Sequence, residues 1–300
     1  MTIPYTFDGI DYSQSCIPAT QLGHNEWRWW PADTEENFKK NVEGTAITDY
    51  VESSFSYTVN SIELRCKEFD NIDFTKPTIV AMGCSFTFGI GLPQEAIWCE
   101  VLAKRLRDDG IDLQLINLSA AGDGTDRLVR LLSQTQHLIK DVDLIIGLLP
   151  GSERTELFLT HMKKPTTVYI HSGTSQDEKT RLENYLTNFV MDNNWLSYQT
   201  NKNLYIFELF AKVHNSSIIL DSWSELFIKE LPRFVNPRFR AFFPIPPELN
   251  FSRGDPSGTK FKQARDGMHS GPMQHKQYAD SIYEQVKASL LLSCNAKKKL

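Results

Sequence analysis

Unbroken apolar runs alternate along this chain with stretches in which apolar residues recur every three or four positions. Residues 78–82 (Thr-Ile-Val-Ala-Met) are the first run, the pattern of a strand buried on both faces. Ile97, Val101, Leu102 and Leu106 follow at helical spacing, and Gly110 supplies a stop. Residues 113–118 read as a second strand and 123–140 as a second helix, with Leu128, Leu131, Leu132, Leu138 and Ile139 apolar. Residues 142–149 read as a third strand, ended by Pro150-Gly151, and 217–220 as a fourth. Strands alternating with helices predict right-handed crossovers. The expected fold is three-layer α/β/α around a central, mostly parallel sheet.

The flanks read differently. Residues 1–75 are rich in turn formers and carry the cluster Trp27-Arg28-Trp29-Trp30-Pro31. Such aromatics can stack on sugars, but they more commonly pin an irregular arm to a domain, and that is the expectation here. The main domain is placed at residues 76–292. Inside it, 155–215 reads as a helical insertion, with a helix start at Gln176-Asp177-Glu178-Lys179 and a face of Leu182, Tyr185, Leu186 and Val190. Residues 231–265 hold Pro232, Pro237, Pro244, Pro246 and Pro247, which excludes a regular helix or central strand and fits a binding loop or lid. A last helix is expected over 272–291. Residues 293–300 are read as a basic tail, with Lys297-Lys298-Lys299 solvated.

Composition narrows the class. Apolar residues make up 41% and charged residues 23% of 300 positions, ordinary for a globular protein with a full core. A net charge of -5 gives no basic footprint for nucleic acid. Cys16, Cys66, Cys84, Cys99 and Cys294 are odd in number, widely spaced and without a CxxC, against a disulfide framework or a zinc ribbon. No run reaches the ~20 apolar residues of a membrane span. No charged n-region and apolar h-region open the chain, so a cytoplasmic protein is expected. Oligomeric state leaves no signature.

Two segments carry chemistry. Gly83-Cys84-Ser85-Phe86-Thr87-Phe88-Gly89 follows the first strand directly and presents Ser85 at a strand-to-helix turn. In α/β folds sites lie at that carboxyl edge, where backbone amides can receive a developing oxyanion. Asp266-Gly267-Met268-His269 places a carboxylate three residues from an imidazole. A serine hydroxyl needs a base, and the base needs an orienting group. Between them, Asn117-Leu118-Ser119-Ala120-Ala121-Gly122-Asp123-Gly124 follows the second strand, and the Gly122 amide can face an oxyanion. Read singly, each has a plainer alternative: an ordinary glycine-serine turn, a surface or capping histidine, and a β-α turn capped at Asp123 or Thr125. His161 and His171 are too dispersed for a metal site. Gly122-Asp123-Gly124 lacks the lysine and threonine of a P-loop, and Arg253-Gly254-Asp255 reads as chance.

In this order the blocks resemble the SGNH (GDSL-type) hydrolase family, over roughly residues 57–290. Gly83-Cys84-Ser85 stands where the family has Gly-Asp-Ser, Gly122 where it has an oxyanion glycine, and Asp266-Gly267-Met268-His269 where it has Asp-x-x-His. Tyr57-Thr58-Val59-Asn60-Ser61 and Arg65 look like the Asn-Ser…Arg lead-in of some stand-alone members. The resemblance implies a flavodoxin-like architecture and hydrolysis of acyl esters, often on carbohydrates or lipids, with neither metal nor cofactor. Ser85 would be the nucleophile, His269 the base, Asp266 its orienter, and the Ser85 and Gly122 amides the oxyanion donors. The implied partner is a small-molecule or glycan acyl ester.

Two departures stand out. Cys84 replaces the family's aspartate, and a buried, inert thiol is expected there. The third block, normally Gly-x-Asn-Asp, is Leu149-Pro150-Gly151-Ser152-Glu153-Arg154-Thr155-Glu156, without asparagine. Ser152 or Arg154 is expected to stand in as donor; alternatively, Arg154 pairs with Glu153, Glu156 or a substrate carboxylate. One lost oxyanion donor typically costs about 10²–10³ in rate. Three readings stay open: a slow esterase, one with a rearranged oxyanion hole, or an SGNH-fold protein that only binds or assembles.

Overall fold

A computed structural model of the chain describes residues 6–7, 10–11, 26–30, 33–44, 54–119, 121–122, 124–152, 154–159, 164–169, 193–223, 264–266 and 269–297. Its six-residue strands are β1 (Thr78–Gly83), β2 (Gln114–Ser119), β3 (Leu144–Leu149), β4 (Arg154–Leu159), β5 (Lys164–Tyr169) and β6 (Ser217–Ser222). Its helices are α1 (Glu35–Gly44), α2 (Ser85–Phe88), α3 (Trp98–Asp108), α4 (Thr125–Thr135), α5 (Asn193–Val213) and α6 (Pro272–Lys297).

Four strands pair in parallel in the order β6-β3-β1-β2. Numbered along the chain, these four run 2-1-3-4, the beginning of the flavodoxin-like order. Alternate residues of β1 enter opposite cores. Ile79 and Ala81 pack with Leu102 and Leu106 of α3 and with Ile282 and Val286 of α6. Val80 and Met82 pack with Leu128 and Leu132 of α4 and with Leu204 and Phe207 of α5. Helices therefore cover both faces, which is the three-layer α/β/α sandwich. Each of the larger of these side chains contributes roughly 1.5–3 kcal/mol by leaving water. That double cover is why β1 and β3 are nearly continuous apolar runs.

The structure corrects several boundaries. The second helix is shorter than 123–140. It starts at Thr125 and ends at Thr135, where the Thr135 hydroxyl donates to Leu131 O and the Leu138 N–H turns back to Thr135 O. Residues 155–215 are not helical throughout: β4 and β5 form an antiparallel hairpin, built from strand-forming Thr, Phe, Val and Tyr, before α5 begins. The arm contains α1, whose Thr34 hydroxyl accepts the Asn37 N–H at 3.1 Å, and a two-residue ladder between Glu26–Trp27 and Tyr57–Thr58. Trp30 of the arm is buried and its ring lies 4.5 Å from that of Phe88 in α2. Lys297 is not a solvated tail residue: α6 runs through it, and its ammonium meets Asp141 at 2.5 Å and Asp143 at 3.2 Å. The expected helix start at Gln176, its face Leu182–Val190, His161, His171, Arg253 and the prolines from 232 to 247 lie outside the described residues. Among the described residues, no helix is long and apolar enough to cross a membrane.

Candidate active site

The site is assembled at the carboxyl edge of the sheet. Gly83 closes β1, and Ser85 opens α2 one residue past Cys84. Gly83 is required by space: a Cβ there would lie 2.0 Å from Thr87 Oγ1 and 2.6 Å from Leu148 O. Ser85 is 5% exposed, and its hydroxyl donates to Cys84 Sγ at 3.9 Å. Cys84 itself is fully buried. Burial also pushes the Cys66 thiol up to about 12 and Cys99 well above its ordinary value, so both stay protonated.

The turn after Ser85 is held from outside. Helix α2 has one turn, so its last carbonyls lack intrahelical partners. The buried Arg65 guanidinium fills that need. It donates to Phe88 O at 3.0 Å, Gly89 O at 2.7 Å and Leu92 O at 2.7 Å. Burial lowers its pKa to about 10, which leaves it charged near neutrality. Asn60 shapes the loop that carries Arg65: its Oδ1 accepts the N–H groups of Ile62 and Leu64, and its Nδ2 donates to Lys67 O. The Asn-Ser…Arg lead-in thus works as scaffolding for the Ser85 turn. Asn117 of β2 adds a bond from Nδ2 to Thr87 O at 2.8 Å.

His269 and Asp266 meet directly. His269 Nδ1 lies 2.5 Å from Asp266 Oδ2, and the His269 backbone N–H donates to Asp266 Oδ1 at 3.1 Å. A carboxylate only accepts, so Nδ1–H donates to Asp266 and Nε2 is the ring nitrogen that this bond leaves unused. Asp266 is 3% exposed. The Ala264 N–H closes the turn on His269 O at 2.8 Å. The His269 ring packs edge-on to Phe86, centroids 5.2 Å apart, beside Ser85. Ser85 and His269 make no direct hydrogen bond to one another.

The candidate donors lie on neighbouring loops. Gly83 of β1 is in register with Ser119 of β2, so Gly122 follows three residues beyond the same edge of the sheet. Gly122 has φ +79°, a conformation that favours glycine, and Ala121 before it packs on the cluster containing Phe88. Gly83 is also in register with Leu148 of β3, which places Ser152, half-buried in a turn, near that edge. Arg154 begins β4. Its guanidinium carbon lies 5.1 Å from the centre of the Trp223 ring, and Trp223 packs against Phe86 at 5.7 Å. The Arg154 carbonyl presses on Gly124, where a Cβ would be only 2.3 Å away. Glu156, one expected partner of Arg154, has its carboxylate held by the Arg130 fork at 2.7 and 2.8 Å. Glu153 lies outside the described residues.

Sequence reasoning missed Asp33, Arg265 and Trp223. Asp33 and Arg265 are fully buried and joined through Arg265 Nη2 at 2.6 Å and Nε at 2.9 Å. No spacing rule connects residues so far apart. Trp223 directly follows β6, and the fourth-strand reading stopped short of it. Among the described residues, no group of three or more His, Cys, Asp or Glu side chains is arranged to hold a metal ion.

No protein-family model and no curated protein matches the chain. Solved structures do. TesA is 17% identical with a TM-score of 0.45, over 70% of this chain and 98% of its own. The psychrotrophic esterase EstA from Pseudoalteromonas sp. is 15% identical with a TM-score of 0.44, over 71% and 98%. AlinE4, described as an SGNH-hydrolase family esterase, is 16% identical with a TM-score of 0.32, over 70% and 73%. The solved proteins to which this chain is similar include esterases and lipases, an SGNH hydrolase among them.

Proposed function

We propose that the chain is a serine esterase that cleaves an acyl ester of a small molecule or glycan. The observation that supports it most is the Asp266–His269 bond with the imidazole packed on Phe86, next to Ser85. Ser85 Oγ attacks the acyl carbonyl while His269 Nε2 takes its proton. Asp266 holds the imidazole in the required tautomer and stabilises the cation that forms. The amides of Ser85 and Gly122 receive the oxyanion, with Ser152 or Arg154 as a further donor. His269 then returns the proton to the leaving alcohol. Water, activated by the same base, releases the acid from Ser85.

A fluorophosphonate probe tests this reading. It should label the wild-type protein at Ser85, and Ser85→Ala should lose both labelling and hydrolysis of short-chain aryl esters. The Ser85 hydroxyl has only a weak sulfur partner, so thermal unfolding should barely move. Hydrolysis that survives in Ser85→Ala would refute the nucleophile assignment. The competing reading is an SGNH-fold protein that binds without turnover. The block without asparagine after β3 favours it, and an unlabelled wild type would support it.

A further inference from the structure

The proposed mechanism leaves the Asp33–Arg265 pair without a role. Buried ion pairs are costly, and apolar replacements are often as stable, so stability alone does not account for this one. Its connections are informative. Arg265 is the residue before Asp266. Its side chain is fixed by Asp33, by Arg28 O at 2.7 Å and by Phe55 O at 3.3 Å, and it stacks on the rings of Phe55 at 3.7 Å and Trp29 at 4.1 Å. Its backbone N–H donates to Gly91 O at 3.0 Å. Asp33 also accepts the Tyr57 hydroxyl at 2.6 Å, and that hydroxyl accepts the Gly91 N–H at 2.7 Å. Gly91, six residues after Ser85, is therefore gripped at both its N–H and its carbonyl. One carboxylate on the arm thus reaches the loop that follows the nucleophile and the turn that carries the base.

We infer that Asp33, Tyr57 and Arg265 are positioning residues, and that the N-terminal arm is a working part of the hydrolytic site. This inference rests on the esterase reading. The arm sets the distance between Ser85 and the Asp266–His269 turn. An error of about 1 Å in such a distance can cost 10²-fold in rate. Asp33 and Tyr57 touch neither substrate nor reacting atoms; they act through Gly91 and Arg265.

The test compares wild type, Tyr57→Phe and Asp33→Asn, each well below its own unfolding transition. Three quantities are read: kcat and KM on an aryl ester, the rate of fluorophosphonate labelling, and the exchangeable downfield proton resonance of His269 Nδ1–H against Asp266. Tyr57→Phe keeps the ring and removes one hydroxyl, so it decides the matter if Asp33→Asn fails to fold. Expected are a fall of about 10–100-fold in kcat and labelling rate, KM within about twofold, and loss of the downfield resonance. A folded Tyr57→Phe with wild-type kcat and labelling overturns the inference and leaves the esterase reading standing. If the wild type itself neither labels nor turns over, the esterase reading fails. The inference then falls with it, whereas an active wild type whose resonance persists unchanged in Tyr57→Phe overturns positioning alone.

Discussion

Phe86 meets His269 edge to ring at 5.2 Å, so the residue beside the candidate nucleophile touches the candidate base. The contact sets an apolar wall along the imidazole, and Trp223 packs on Phe86 in turn, ring centroids 5.7 Å apart. The guanidinium over Trp223 belongs to Arg154. Ser85, His269 and Arg154 are thereby linked through two aromatic rings.

Asp266→Asn should preserve the fold and lose the chemistry. An asparagine oxygen can still accept the His269 backbone N–H, so the unfolding free energy should change by no more than about 1 kcal/mol. The carboxylate that fixes the tautomer is gone, and turnover should fall roughly 10⁴-fold with KM little changed. Steady-state kinetics beside thermal unfolding reads both. Turnover within tenfold of wild type would remove Asp266 from the mechanism.

Gly91→Ala should disturb the base from a distance. Gly91 has φ +73°, and a Cβ there would lie 2.7 Å from Ala264 Cβ and 2.8 Å from Arg265 N. The strained backbone costs about 1–3 kcal/mol, and the turn carrying Asp266 has to shift. Chemical denaturation should show the loss of stability. Turnover measured where the variant is still folded should drop by more than about tenfold. An unchanged turnover would mean that the turn is held elsewhere.

Arg154→Met tests the missing asparagine. Methionine retains a flexible stem over Trp223 but has no donors. Turnover reduced about 10²-fold at constant KM would mark a group that acts on the transition state. Raised KM with turnover intact would mark a substrate contact instead. Kinetics equal to wild type would leave Ser152, or no side chain, in the donor role.

Two buried groups should make opposite contributions to acid stability. Burial, helped by His269 and Arg65, pushes His275 down to about 3, and its Nδ1 accepts the Trp98 N–H at 3.1 Å. The folded protein keeps His275 neutral while the unfolded chain protonates it below about 6.5, so this stability drains away as pH falls below that value. Burial pushes Asp221 up to about 7, so it stays protonated in the folded state where the unfolded chain ionises above about 3.8. Its stability is complete at low pH and is lost as pH rises through about 7. Between pH 4.5 and 6.5 the two slopes oppose one another at about 1.4 kcal/mol per unit each. His275→Gln should therefore become more stable on acidification across that window, and Asp221→Asn less stable. Denaturation curves at both pH values check this, and variants with the wild-type pH dependence would contradict it.

Much of the fold was legible because burial on both faces writes itself into sequence as unbroken apolar runs, as in Thr78–Gly83 and Leu144–Leu149. The bond between Asp266 and His269 follows from their spacing on one turn. Less legible was α1, whose ten residues hold only Phe38 and Val42 as large apolar positions. The hairpin of β4 and β5 was hidden because its strand formers were absorbed into a neighbouring helical pattern. Asp33 and Arg265 were beyond reach: a single carboxylate and a single guanidinium carry no mark of each other until the chain has folded.

That pair also constrains when the site can exist. Asp33 and Arg265 are separated by 232 residues, so their contact closes most of the chain into one loop. Closing such a loop costs about 5 kcal/mol in chain entropy, which is recovered only when the sheet between its ends is already built. On the ribosome Asp33 emerges long before its partner is made. A nascent chain can complete β1 and present Ser85 while the Asp266–His269 turn is still untranslated. On the esterase reading, hydrolytic competence should therefore switch on late and in one step, after Arg265 has left the exit tunnel.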